Sequence, residues 1–253
     1  MQQKGQFDRI VGIGCSFTQG GGLNNDISYK YYNGIDSSIE LHEESRTLDE
    51  FMYQNSYVAH LSYLLQIPYE NLSESRSSNE LILNKVYNRF KDNSERVLLI
   101  LQPSFFSRMS LYSVESLRHE KLSGQYINQD DVSIDLVSSE DISNNIINLY
   151  KDYLKYSHDT HVVEDLFYEK LDVYSTWLES KNVTSIILPW NKFNNVKRKN
   201  IVTLDGMDLS HYVEYNKMRF SDVPHLNFND SHISLEGNEK LANKLYEYIK
   251  NEL

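Results

Sequence analysis

One cysteine in 253 residues excludes an intrachain disulfide and any zinc cluster built on cysteine. A reducing compartment suits such a chain, and a cysteine-poor exported protein is compatible with it. Proline (4) and glycine (10) are scarce, which excludes collagen-like, linker-rich and disordered compositions. Long apolar runs are missing. The longest, VLLIL at 97–101 and SIILPW at 185–190, fall far short of the ~20 residues of a membrane helix. The opening residues MQQKGQFDRI hold no apolar core of a signal peptide. The expectation is a cytoplasmic protein without membrane contact, or a virion-associated one if a phage encodes it. Positive charge is also short: 25 Lys+Arg stand against 36 Asp+Glu, a net charge of -11. Nucleic acid and anionic membranes call for a cationic footprint, so neither is an expected partner. The one basic cluster, NVKRKN at 195–200, reads most simply as a solvated loop.

What the chain does have is aromatic: 19 Tyr and 10 Phe give a polar sequence amphipathic core material. No repeat or linker divides it, so residues 1–253 read as a single domain. Such a chain buries roughly 70–75% of its unfolded surface and needs no staples. Apolar runs at Arg9–Gly14, Arg96–Leu101 and Val183–Leu188 read as buried strands, with shorter ones at Tyr69–Ser73 and His225–Phe228. Helical spacing marks 51–66, a helix opened by a capping box of Ser77 with Glu80, and stretches around Ile142–Tyr153 and Val163–Leu178. A last helix is expected from an N-cap at Ser234. Residues 19–50 and 102–137 are irregular by pattern and read as long loop excursions. Alternating strands and helices predict an α/β chain: a central, mostly parallel five-stranded sheet covered on both faces. In such folds function gathers at the carboxyl ends of the strands.

Two strand ends carry chemistry. GIGCSFTQG follows the first strand, and Ser16 there is either a helix cap or a nucleophile awaiting a base. Cys15 is a rival nucleophile or a small core residue. Near the other end, FNDSHISLEGNEKLA holds His232 on a loop before a helix, with Asp230 two residues earlier and Asn229 three earlier. A histidine beside a carboxylate is a candidate general base, or else a surface or capping residue. His158 and His161 have metal-like spacing without a third ligand, so they mark a helix boundary and no metal is expected.

The pair of Ser16 and His232 brings out a resemblance to the SGNH (GDSL-type) hydrolase superfamily. GCSFT at 14–18 is similar to the block that holds the nucleophile. NLSESRSSNELI at 71–82, LLILQPS at 98–104 and NDSHISLEGNEKLA at 229–242 are similar to the second, third and last blocks. The resemblance implies a three-layer α/β/α sandwich of flavodoxin-like SGNH type and hydrolysis of esters without a cofactor. It implies Ser16 as nucleophile and oxyanion donor, and His232 as base. Two positions depart from the family. Arg76 stands at the second-block glycine, and Ser104 at the third-block asparagine. Asn79 or Gln102 is then a substitute donor. The family's aspartate position falls on Asn229, which leaves Asp230 as the nearest carboxylate.

The function implied is a serine esterase acting on a small-molecule or carbohydrate ester, for example an O-acetyl or short-acyl group. The altered oxyanion positions keep a second expectation open: a weakly active or inactive SGNH-fold binding or structural module. An O-acyltransferase on the same site is a third. The Asn/Lys/Tyr-rich composition and this variant of the blocks resemble phage or low-GC bacterial proteins.

Overall fold

Every residue of VLLIL at 97–101 is buried, because the strand lies between two helical layers and both of its faces must be apolar. Successive side chains alternate between those faces. Leu98 and Ile100 join one core cluster, with Ile10 and Ile186. Val97, Leu99 and Leu101 join the other, with Val11, Ile13, Val183 and Ile187.

The structure, a computed structural model, describes residues 6–20, 52–75, 77–104, 109–113, 118–128, 131–137, 152–153, 160–188, 201–203, 233 and 235–253. Eight strands are described: β1 (Arg9–Ile13), β2 (Tyr69–Asn71), β3 (Val97–Leu101), β4 (Met109–Ser113), β5 (Arg118–Asn128), β6 (Asp131–Val137), β7 (Val183–Ile187) and β8 (Ile201–Thr203). The helices are α1 (Ser16–Gln19), α2 (Tyr57–Leu65), α3 (Asn79–Phe90), α4 (Thr160–Ser180) and α5 (Leu235–Glu252).

The main sheet has five strands in the order β2-β1-β3-β7-β8, and all of its pairings are parallel. With the inserted β4–β6 set aside, this is the flavodoxin-like order, whose reversal lies between β1 and β3. Residues of α2 and α5 share the cluster on one face (Tyr57, Leu61, Leu241, Leu245). Residues of α3 and α4 share the other (Ile82, Val86, Phe167, Leu171). Three layers result, as the sequence pattern predicts.

Three sequence expectations are corrected, and one strand is added. The fifth strand is β8, which the sequence reading left unassigned; His225–Phe228 lies outside the described residues. Part of the excursion at 102–137 is not irregular: β4, β5 and β6 form an antiparallel sheet with a register shift at Tyr126/Asn128. Ser78, not Ser77, caps α3, since Ser78 holds extended backbone angles and its side chain accepts from Leu81 N. The helix at 51–66 is interrupted at Ser56, which is extended and caps α2 by accepting from Ala59 N. Residues 21–51, most of the region around 142–153, and Ser234 lie outside the described residues.

Candidate functional site

The turn after β1 is built for close approach. A Cβ on Gly14 would stand 2.5 Å from Thr18 Oγ1 and 2.9 Å from Gln102 Cβ. A Cβ on Gly12 would stand 2.8 Å from Val58 Cγ2. Only glycine lets β1, α2 and the segment after β3 meet here. Cys15 then takes an extended conformation as N-cap, and Ser16 begins α1, which is buried through Thr18. Gly20 closes the helix in the left-handed conformation at φ 92°.

Ser16 therefore stands at the carboxyl end of β1, beside the reversal of strand order, where ligands of such sheets bind. It is buried. The ends of β2 and β3 are hydrogen-bonded to the same turn. Leu72 N donates to Gly12 O at 2.8 Å, and Glu74 N to Gly14 O at 3.2 Å. Gln102 N donates to Ile13 O at 2.9 Å. Asn71 Nδ2 donates to Thr18 O at 2.7 Å, which holds the last turn of α1 against β2. Lys85 reaches back from α3 to Leu72 O and to the Glu74 carboxylate, securing the loop after β2.

Asn79 and Ser104 are both buried and meet across this rim. Ser104 N donates to Asn79 Oδ1 at 2.7 Å, and Asn79 Nδ2 donates to Ser104 O at 3.2 Å. The main-chain N–H of Ser104 is thereby engaged. An amide nitrogen has two N–H groups, of which Ser104 takes one. Gln102 is directed inward: its Nε2 donates to Pro103 O at 2.9 Å, and its Oε1 accepts from Thr18 Oγ1 at 3.0 Å and Cys15 Sγ at 3.2 Å. Sequence reasoning cast Gln102 as a substitute oxyanion donor and missed this inward bonding. Its one signal was a polar residue directly after an all-apolar strand.

Cys15 is buried, and its thiol donates to an amide oxygen. Thr18 Oγ1 lies 2.7 Å from Tyr57 OH. Burial pushes the Tyr57 phenol well above its ordinary value, outweighing the Thr18 bond, so Tyr57 remains a protonated donor.

Arg76, Asn229, Asp230 and His232 lie outside the described residues. The neighbour of His232 does not. Ile233 is buried in the same cluster as Cys15, Phe17 and Tyr57. Its carbonyl accepts from Asn238 Nδ2 at 3.2 Å, while Asn238 Oδ1 accepts from Tyr57 N at 2.8 Å. Among the described residues, no group of three or more His, Cys, Asp or Glu is arranged to hold a metal ion. No helix among them is long and apolar enough to cross a membrane.

No protein-family profile matches the chain, and no curated protein matches it. Several solved structures do. One is a protein placed in the lipolytic G-D-S-L family, from Desulfitobacterium hafniense DCB-2, at 11% identity and TM-score 0.43, covering 95% of this chain and 98% of that one. Another is a carbohydrate esterase whose active site displays divergent catalytic and non-catalytic binding functions, at 11% identity and TM-score 0.42, covering 96% of this chain and 68% of the other. A third is phospholipase A1 from Streptomyces albidoflavus NA297, at 13% identity and TM-score 0.35, covering 76% of this chain and 64% of that one.

Proposed function

We propose that this chain is a serine-dependent ester hydrolase of the SGNH type, with Ser16 as nucleophile and His232 as general base. One observation carries the reading. Cys15 and Ile233, the chain neighbours of Ser16 and His232, are members of one buried cluster although far apart in sequence. Ser16 also begins a helix at the strand-order reversal, where a hydroxyl can face an incoming substrate.

The chemistry runs as acyl transfer. Ser16 Oγ attacks the acyl carbon and His232 takes its proton. The tetrahedral oxyanion is met by the main-chain N–H groups of Ser16 and Arg76, with Asn79 amide and Ser104 beside them. The leaving alcohol recovers the proton from His232, and water, activated by the same imidazole, releases the acid. Asp230 holds the imidazolium that forms. The substrate class is a small-molecule or carbohydrate ester with a short acyl group, and no cofactor enters the scheme.

The test is labelling with a fluorophosphonate followed by mass mapping. Ser16 is the expected adduct, and Ser16→Ala should abolish it. Labelling confined to another residue, or none on folded protein, would overturn the reading.

A further inference from the structure

The helix that presents Ser16 has four residues and no side-chain cap. One turn of helix does not hold itself, because nucleation fixes several dihedrals for a single hydrogen bond. Something outside the turn must set its shape.

Asn71 holds its last turn from β2, and one buried side chain bonds it on both sides of Ser16. Gln102 follows β3 and continues the ladder one step beyond it, through its N–H to Ile13 O. Its side chain crosses to the turn, where Oε1 gathers three donors. Thr18 Oγ1 lies at 3.0 Å, Cys15 Sγ at 3.2 Å and Cys15 N at 3.4 Å. These groups precede Ser16 by one residue and follow it by two, so a single oxygen spans the nucleophile. The amide orientation is fixed by its surroundings. Reversed, its N–H groups would face the N–H of Cys15, and its oxygen would face Pro103 O. Thr18 has given its proton to Gln102, so it accepts from Tyr57 OH. The result is a one-way chain of neutral donors: Tyr57 to Thr18 to Gln102, and on through Nε2 to Pro103 O.

We propose that Gln102, with Thr18 and Tyr57 behind it, is a positioning residue that sets the turn carrying Ser16. Its catalytic part rests on the ester-hydrolase reading; the positioning itself does not. Neutrality follows from the same geometry. An ionised carboxylate at 102 would still accept from Thr18 and Cys15, but it would lose the donor to Pro103 O and place a charge in a fully buried site. Only an uncharged group with an acceptor at one end and a donor at the other satisfies every partner.

Four variants test this: Gln102→Leu, Thr18→Val, Thr18→Ser and Tyr57→Phe. Two readouts need no activity. One is hydrogen–deuterium exchange in a peptide covering 14–20. The other is native-state alkylation of Cys15, the only cysteine, by iodoacetamide. Both should quicken about tenfold or more in Gln102→Leu, and severalfold in Thr18→Val and Tyr57→Phe. Thr18→Ser, which keeps the hydroxyl, should return them to wild-type rates. Exchange in peptides of α3 and α5 should stay as it was, which separates a loosened turn from a loosened protein. On p-nitrophenyl acetate, the same order should appear in kcat per folded molecule, with KM within about twofold. If Gln102→Leu does not fold, the valine–serine pair at Thr18 decides. Wild-type exchange and alkylation in Thr18→Val, or equal quickening in every peptide, would overturn the proposal. A wild type inert to both fluorophosphonate and ester would end the hydrolase reading, while exchange and alkylation still decide the positioning.

Discussion

Asn79 and Ser104 bond each other twice, amide to peptide, so the start of α3 and the segment after β3 move as one piece. An asparagine amide has the same acceptor–donor face as a peptide group, which is why the pair resembles one rung of a ladder. Removing it takes one partner from a buried N–H and one from a buried C=O. Asn79→Ala should therefore cost about 2 kcal/mol, or roughly 4–8 °C of melting temperature. Asn79→Asp keeps the acceptor and sets a negative charge at a helix N-terminus, so it should fall between alanine and wild type. Urea denaturation ranks the three proteins, and an alanine variant as stable as wild type would show that Ser104 finds other partners.

Ser16→Ala should remove turnover of p-nitrophenyl acetate almost entirely, because one member of a cooperating set carries most of the rate. The melting temperature should move by no more than about 2–4 °C, equivalent to about 1 kcal/mol. Steady-state kinetics beside a thermal melt is the check, and residual turnover near the wild-type level would remove Ser16 from the chemistry.

Gly14→Ala should be harmful for a steric reason alone. The new methyl would overlap Thr18 Oγ1 and press on Gln102 at Cβ and carbonyl, and all of these are packed. Overfilling of this kind costs about 1–3 kcal/mol. Stability and native-state Cys15 alkylation should change together; a variant altered in neither would mean that the turn has room the geometry denies.

The partner of His232 is open to a direct comparison. A carboxylate stabilises the imidazolium and fixes its tautomer, whereas an amide does only the second. Asp230→Asn should lower kcat at least tenfold, roughly 1.4 kcal/mol, and Asn229→Ala much less. The reverse order would pass the role to Asn229 or leave Ser16 and His232 as a dyad.

His60 gives the fold a pH dependence of definite sign. Burial holds its imidazole below the usual 6.5, against the opposing pull of Glu239 and a bond to the Asn55 backbone. Its Nε2 is buried without a hydrogen-bond partner. As pH falls, the unfolded chain takes up the proton first, so stability is complete above about 6.5 and declines below it until the folded protein also protonates. His60→Gln should lack this stretch of acid loss. Urea midpoints between roughly pH 5 and 8 test it, and parallel curves for the two proteins would count against it.

The strands β1, β3 and β7 are legible in the sequence because burial on both faces demands unbroken apolar runs. Tyr69–Asn71 and the helices α2 to α5 follow from turn residues and helical spacing. The sheet β4–β6 was hidden by its residues: β5 opens on Arg118, His119, Glu120 and Lys121, which suit a strand only when a neighbour supplies the pairing. Asn128–Asp131 is a turn signal that could have exposed the hairpin. Ile201–Thr203 is β-branched but only three residues long, too short for periodicity to register. At the site, Ser16 was legible from its place after a strand ending in glycine. The bonds of Gln102 and Asn79 were not, since pairings across 25 to 87 residues leave no local trace.

Asn238 bonds the main chain at Tyr57, 181 residues earlier, and that at Ile233, five residues earlier. During synthesis this fastening waits for α5. At about 5–20 residues per second, roughly 10–40 s separate the making of Tyr57 from that of Asn238. Through that interval the face of Ile10, Tyr57 and Leu61 that α5 will cover is left without its final layer. The nascent chain thus keeps this apolar face uncovered until α5 has been made.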